Sequence, residues 1–156
     1  MMPLSYLITL LILINIMANF DDAYKMLTAK EGGYVHDSDD SGGETYRGIS
    51  RRYNLNWEGW VIIDSYKKRY TGNALRKKLD ADEQLQKLVK RKYKLGYWDV
   101  FELDDVPSQR IAYQMFDTNV NCGSFAAIKF AEKALNRKIT GRWSLSLLNE
   151  LVAIDC

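Results

Sequence analysis

Hydrophobic positions recur at helical spacing through most of the chain. After residue 18, Phe20, Tyr24, Leu27 and Glu31 share one helical face. Asn19 or Asp21 is placed to cap this helix, and Asp22 sits in its first turn, facing the positive helix end. Gly32-Gly33 ends the helix and puts Glu31 in its last turn. "SGG" at 41–43 reads as a turn, and "ETYRGIS" at 44–50 alternates like a short strand or hairpin edge. Residues 51–80 carry Tyr53, Trp57, Trp60, Tyr66 and Tyr70, which read mostly as core. Leu85, Leu88, Val89 and Tyr93 predict a helix over 82–93. Pro107 marks the next helix start, and Ile111, Met115 and Phe116 carry that helix to about Val120. Gly123-Ser124 breaks it. Ser124 is placed to cap a helix through Ile128, Phe130, Ala131, Ala134 and Leu135. Gly141 is a turn, and Leu145, Leu148, Leu151 and Val152 predict a last helix. The pattern is that of a mainly α domain with a small extended element near 44–50.

The first eighteen residues contain no charged side chain. Leu4 to Ala18 is an apolar run interrupted by Ser5, Thr9 and Asn15. A spanning helix needs about 20 apolar residues, so this run is short. It fits the hydrophobic part of a signal peptide, with Ala18 closing a small-residue cleavage site, although no Lys or Arg precedes it. Three readings stay open: cleavage during export, a weak membrane anchor through residues 4–18, and a buried core helix. Asp21 and Asp22 follow the run and the first lysine is Lys25. This charge order favours an N-terminus held inside while the bulk crosses.

The chain has 156 residues, 47% of them hydrophobic, with 22 basic and 20 acidic side chains. That suits one packed domain after the first eighteen residues and argues against disorder. Residues 67–94 are strongly basic, carrying Lys/Arg from Lys67 through Lys94 against Asp80, Asp82 and Glu83. Such a stretch is a solvated helix face or a surface drawn to an anionic polymer or membrane. Cys122 and Cys156 have no metal-ligand spacing. Cys122 reads as a small buried residue, and export would permit a bond to Cys156. His36, the one histidine, reads as a surface residue.

The stretch "EGGYVHDSDDSGGETYRGIS" at 31–50 concentrates Glu31, Asp37, Asp39, Asp40 and Glu44 among glycines. A calcium loop starting at Asp37 would need a bidentate Glu as its twelfth residue, and that residue is Gly48. Glycoside hydrolysis needs one protonated acid and a second carboxylate that directs water or attacks the sugar. Glu31, at the negative end of a helix dipole, should be raised in pKa, while carboxylates in the polar loop stay ionised. Gly32-Gly33 leaves room for a sugar ring near the backbone. Acid on the helix end and base on the next loop would then face each other across a cleft.

The order Glu31, Asp40 nine residues on, then Thr45 and Gly48-Ile49 resembles that of phage-type lysozymes, with one residue fewer before Thr45. The longer pattern is more specific. "EGGY", Asp40, "GGET" and "GIS" resemble the N-terminal signature of glycoside hydrolase family 108, a family of N-acetylmuramidases. "YWD" at 97–99, "LDDVPSQRIAYQMFDTNVNCG" at 103–123 and "AIKFAEKALN" at 127–136 resemble the predicted peptidoglycan-binding half of the same proteins. Where the family often has Asp-Pro, this chain has Asp37-Ser38 and Asp40-Ser41, and "TGRWSLS" lacks the family's Gly-Pro.

The resemblance implies an α+β, lysozyme-like fold over 19–156, with a catalytic half at 19–100 and a helical, peptidoglycan-binding half at 101–156. It puts the catalytic acid at Glu31. Asp40 is the first choice for the second carboxylate, with Thr45 holding the attacking water and Asp37 and Glu44 in reserve. A nine-residue separation across a glycine-containing loop suits the gap of about 6.5–9.5 Å that inverting enzymes use. Tyr97 and Trp98 are candidates to stack on sugar, or core anchors. Asn119 and Asn121 are candidates for N-acetyl groups, or helix caps. The expected function is hydrolysis of the β-1,4 bond between N-acetylmuramic acid and N-acetylglucosamine, outside the cytoplasm in the periplasm, for host lysis or wall remodelling. The expected chain is a monomer without cofactor, metal or nucleic acid. The alternatives are a non-catalytic wall-binding module and a membrane-anchored secretion accessory protein.

Overall fold

A computed structural model describes residues 3, 17–29, 32–36 and 43–154. Glu31, Asp37, Asp40, Cys156 and the apolar run at 4–16 lie outside the described residues. Among the described residues, no helix is long and apolar enough to cross a membrane. The chain is mainly α, with one small antiparallel sheet. Its elements are α1 (Phe20–Thr28), β1 (Tyr34–His36), β2 (Glu44–Tyr46), β3 (Ile49–Ser50), α2 (Gly59–Lys67), α3 (Gly72–Ala81) and α4 (Glu83–Tyr93). A π-helical turn (Lys94–Trp98) and two short 3-10 turns lead to α5 (Gln109–Cys122), α6 (Ser124–Ala134) and α7 (Leu145–Ala153).

Two compact units divide these elements, one of Lys25–Tyr93 and one of Met1–Tyr24 with Lys94–Cys156. In the Lys25–Tyr93 unit the sheet runs β1-β2-β3, with Tyr34 opposite Tyr46 and Thr45 opposite Ser50. Arg47 and Gly48 form the two-residue turn between β2 and β3, both with positive φ (44° and 76°). That is the turn whose twist matches the strands it joins, and a glycine accepts it without strain. The buried Tyr46 hydroxyl donates to the Leu79 carbonyl at 3.2 Å and accepts from Gln86 Nε2 at 2.8 Å. Ile63, Leu75, Leu79, Leu85 and Val89 complete this core from α2, α3 and α4. Of the aromatics at 51–80, only Trp60 is buried, and Tyr53 is 75% exposed. The expectation that they are mostly core is therefore corrected: aliphatic side chains of α2–α4 fill that volume.

The other unit centres on Trp98, which has no exposed surface. Its ring meets Phe20 and Phe116 edge to face, with centroids 5.5 Å away in each case, and Phe20 meets Phe116 at 5.8 Å. Edge-to-face packing adds to the burial of such rings. The buried indole needs a partner for its N–H and donates to Asp104 Oδ1 at 2.8 Å. Lys94 Nζ joins Asp99 and Asp104, at 2.7 Å each. The "YWD" and "LDD" stretches are thus two sides of one clip.

Side chains cap the starts of α1, α4, α5 and α7, but not those of α2, α3 and α6. Asn19 Oδ1 accepts from the Asp22 amide, Ser108 Oγ from Ile111 and Ser144 Oγ from Leu147. Ser124 does not cap α6. Gly123 holds that position, and the Ser124 hydroxyl donates to Asn119 Oδ1 at 2.9 Å. Helix α1 ends at Thr28, earlier than the expected Glu31. Cys122 is exposed with a free thiol rather than buried, because it closes α5 just before Gly123.

Trp98→Phe keeps a ring against Phe20 and Phe116 but removes the donor to Asp104. A loss of about 1–2 kcal/mol in urea unfolding is expected. An unchanged midpoint would show that the indole N–H contributes nothing.

Candidate active site

Alternation along β2 sends Glu44 and Tyr46 to the buried face of the sheet and Thr45 to the other. Thr45 is half-buried there, beside its strand partners Val35 and Ser50. The face that carries Thr45 is the open one, since Val35 is 46% exposed.

The buried face holds a charged cluster. The hairpin register that pairs Thr45 with Ser50 brings Arg51 opposite Glu44, and the Arg51 amide donates to the Glu44 carbonyl at 2.8 Å. Their side chains meet as well, with Arg51 Nε 2.5 Å from Glu44 Oε2. Lys67 Nζ, from the end of α2, donates to Glu44 Oε1 at 2.8 Å. The Tyr34 hydroxyl donates to the same oxygen at 2.7 Å. Arg51 then forks onto Asp64 at 2.6 and 3.0 Å, and its guanidinium lies 4.4 Å from the Trp60 ring centroid. A bidentate arginine fixes both position and orientation.

Burial alone would favour a neutral Glu44. The hydrogen bonds from Lys67 and Tyr34, with the charge of Arg51, outweigh it and hold the carboxyl below the usual glutamate range. Burial, and then the bond to Glu44, pushes the Tyr34 phenol above its ordinary value. The hydrogen bond from Arg51 holds Asp64 below the usual carboxylate range. The second catalytic carboxylate must be ionised and free to reach water, and both oxygens of Glu44 are already engaged by Tyr34, Lys67 and Arg51. Glu44 is therefore removed from the reserve of catalytic carboxylates. It joins β1, β2, the residue after β3 and α2.

Three of the basic side chains at 67–94 have internal roles. Lys67 holds Glu44, Arg76 Nε donates to the Tyr34 carbonyl at 3.2 Å, and Lys94 holds the Asp99–Asp104 clip. These are not available to an anionic surface.

The Met1–Tyr24/Lys94–Cys156 unit carries the other candidates. Trp98 has no surface on which a sugar could stack, so the sugar-binding assignment is corrected and the core-anchor reading of it holds. Tyr97 is half-buried, and desolvation raises its phenol pKa. Asn119 is buried, donating to the Tyr97 carbonyl at 2.9 Å and accepting from Ser124. It fixes a turn and offers nothing to an N-acetyl group. Asn121 is exposed, and its amide donates back to the Asp117 carbonyl at 2.8 Å, four residues earlier on α5.

Sequence reasoning missed Tyr34, Arg51, Asp64 and Lys67 as a set. One signal was present: a hairpin turning at Arg47-Gly48 places opposite charges at 44 and 51 directly across from each other.

A family model described as Glycosyl hydrolase 108 matches residues 24–123. No curated protein matches the chain. A solved structure, "Structure of Brucella abortus SagA", is similar in fold, with a TM-score of 0.53 and 23% identity, covering 85% of this chain and 67% of that one.

Glu44→Gln leaves Arg51 and Lys67 facing a neutral amide, and a loss of about 2–3 kcal/mol in urea unfolding is expected. The sign of the pH dependence follows from the lowered pKa. The Glu44 contribution is complete above the ordinary glutamate value of 4.5 and is lost as the pH falls through the lower folded value. Acid unfolding of the parent should therefore be steeper than that of Glu44→Gln, and parallel acid limbs would contradict the assignment. The family match covers well over half of the chain, and the chain belongs to the glycosyl hydrolase 108 family.

Proposed function

We propose that this glycosyl hydrolase 108 protein is an N-acetylmuramidase, cutting the β-1,4 bond between N-acetylmuramic acid and N-acetylglucosamine in peptidoglycan. The observation that carries the reading is the family match over 24–123, which contains Glu31, Asp40 and Thr45. Glu31 is the acid that protonates the leaving oxygen. Asp40 is the base, and Thr45 helps to hold the attacking water. The commitment of Glu44 to Arg51, Lys67 and Tyr34 supports this division, because it takes one rival carboxylate out of the chemistry. Water delivered by Asp40 to the face opposite Glu31 gives single displacement with inversion. Tyr97 and Asn121 are the substrate-binding candidates that remain.

The work of the enzyme lies in the periplasm, on the wall side of the inner membrane. The uncharged run at 4–18, followed by Asp21 and Asp22, supports delivery there by residues 1–18 as a signal or signal-anchor. Host lysis and wall remodelling for secretion both call for this reaction.

Glu31→Gln is expected to keep the fold and to slow digestion of purified walls by about 10²–10⁴-fold. The parent should release the α anomer first from β-linked strands, read by NMR before mutarotation. Wall digestion by Glu31→Gln at the parent rate would refute the acid assignment, and β product would refute inversion. Wall binding without hydrolysis by the parent would make the chain a binding module instead.

A further inference from the structure

The turn after β3 forms a second feature on the Lys25–Tyr93 unit. Residues Tyr53 to Trp57, with Lys92 of α4, line a cavity of about 330 Å³. Known ligand pockets begin at about 300 Å³. Tyr53 and Leu55 are 75% and 72% exposed, so a large phenol and an isobutyl group stand in water at its rim. Asn54 and Asn56 add amides. Lys92 is half-buried, and among the described residues it has no ion-pair partner.

The cavity wall is held in place. A Cβ on Gly59 would lie 2.3–2.5 Å from the Trp57 ring, so the indole folds onto the bare glycine. The ring also meets Trp60 edge to face at 5.1 Å. Trp60 Nε1 donates to the Asn54 carbonyl at 2.7 Å, and Asn54 Nδ2 donates to the Ser50 carbonyl at 3.0 Å. Ser50 is the strand partner of Thr45. The cavity is thus fastened to the strand pair that carries Thr45, by groups whose own hydrogen bonds are satisfied within the turn.

Each lining group suits one part of an acidic amino sugar. The faces of Tyr53 and Trp57 suit the C–H face of a pyranose ring. Side-chain amides both donate to and accept from an acetamido group. The ammonium of Lys92 suits a carboxylate. We propose that the cavity of Tyr53, Asn56, Trp57 and Lys92 is an accessory subsite for peptidoglycan glycan strands freed of stem peptide, reading the lactyl carboxylate that loss of the peptide exposes. The inference rests on the muramidase reading for its choice of polymer.

The test uses the full chain carrying Glu31→Gln and three probes: glycan strands stripped of peptide by an amidase, a chitooligosaccharide of equal length, and free stem peptide. Amidase cleavage frees the lactyl carboxylate of stripped strands, chitooligosaccharide has none, and stem peptide has carboxylates without sugar. Stripped strands are expected to shift the Trp57 indole N–H and the amides of residues 53–56 in NMR spectra. Lys92→Gln and Tyr53→Ala should each weaken strand binding by about tenfold, the scale of one charge-assisted contact. Lys92→Gln should leave chitooligosaccharide binding unchanged. Gly59→Ala should weaken both by displacing Trp57.

Parent-like strand binding by both Lys92→Gln and Tyr53→Ala would overturn the inference. Shifts of these resonances by stem peptide but not by stripped strands would also overturn it. The two readings fail separately. Wall hydrolysis by the unsubstituted chain with unaltered binding in the variants sinks the subsite alone. Strand binding at residues 53–57 without any hydrolysis sinks the enzyme and keeps the subsite.

Discussion

Glu44 is a buried carboxylate that Tyr34, Lys67 and Arg51 surround, and they outweigh its desolvation and hold its pKa below the usual glutamate range. Removing one partner from such a group leaves charge uncompensated in a poorly solvated place, which costs far more than a surface ion pair contributes. Its partners come from β1, α2 and the residue after β3, so one side chain sets how three segments meet. Tyr34 belongs to "EGGY" and Glu44 to "GGET". The two halves of the motif are joined by a hydrogen bond of 2.7 Å.

This arrangement separates two jobs on one strand. The buried face of β2 is occupied by Glu44 and Tyr46, each fully engaged. The open face presents Thr45, which the proposed mechanism uses for water. Hydrogen bonds and ion pairs hold the strand pair from behind, as a positioned catalytic group requires. The same hairpin continues through Arg51 into the turn that places Trp57 over Gly59. In the Met1–Tyr24/Lys94–Cys156 unit, motif residues also serve packing: Trp98, Asp99 and Asp104 form a clip with Lys94 around an aromatic core.

Much of the helical order was legible in the sequence. Leu85, Val89 and Tyr93 are buried on α4 as their spacing predicts, and Met115 and Phe116 are buried on α5. Residues 44–50 alternate and form β2 and β3. The strand β1 was not legible, because three residues after a glycine pair carry no period of their own. The aromatics at 51–80 misled, since an indole or phenol reads as core whether or not a neighbour covers it. Trp98 beside Tyr97 reads equally as a sugar platform or a core anchor, and only the tertiary contact with Phe20 and Phe116 decides for core. Glu44 reads as one more loop acid because Lys67 is distant in sequence. The roles of Glu31 and Asp40 come from order and family likeness, and these residues lie outside the described part of the structure.

The central claim is that Glu44 is the structural carboxylate and leaves the chemistry to others. Observing its side-chain carboxyl carbon by ¹³C NMR through an acid titration tests this directly. The account predicts a Glu44 titration below the usual glutamate range, well separated from the pH at which wall hydrolysis is half-maximal. A Glu44 resonance that titrates at or above the usual range, in step with the loss of activity, would contradict it.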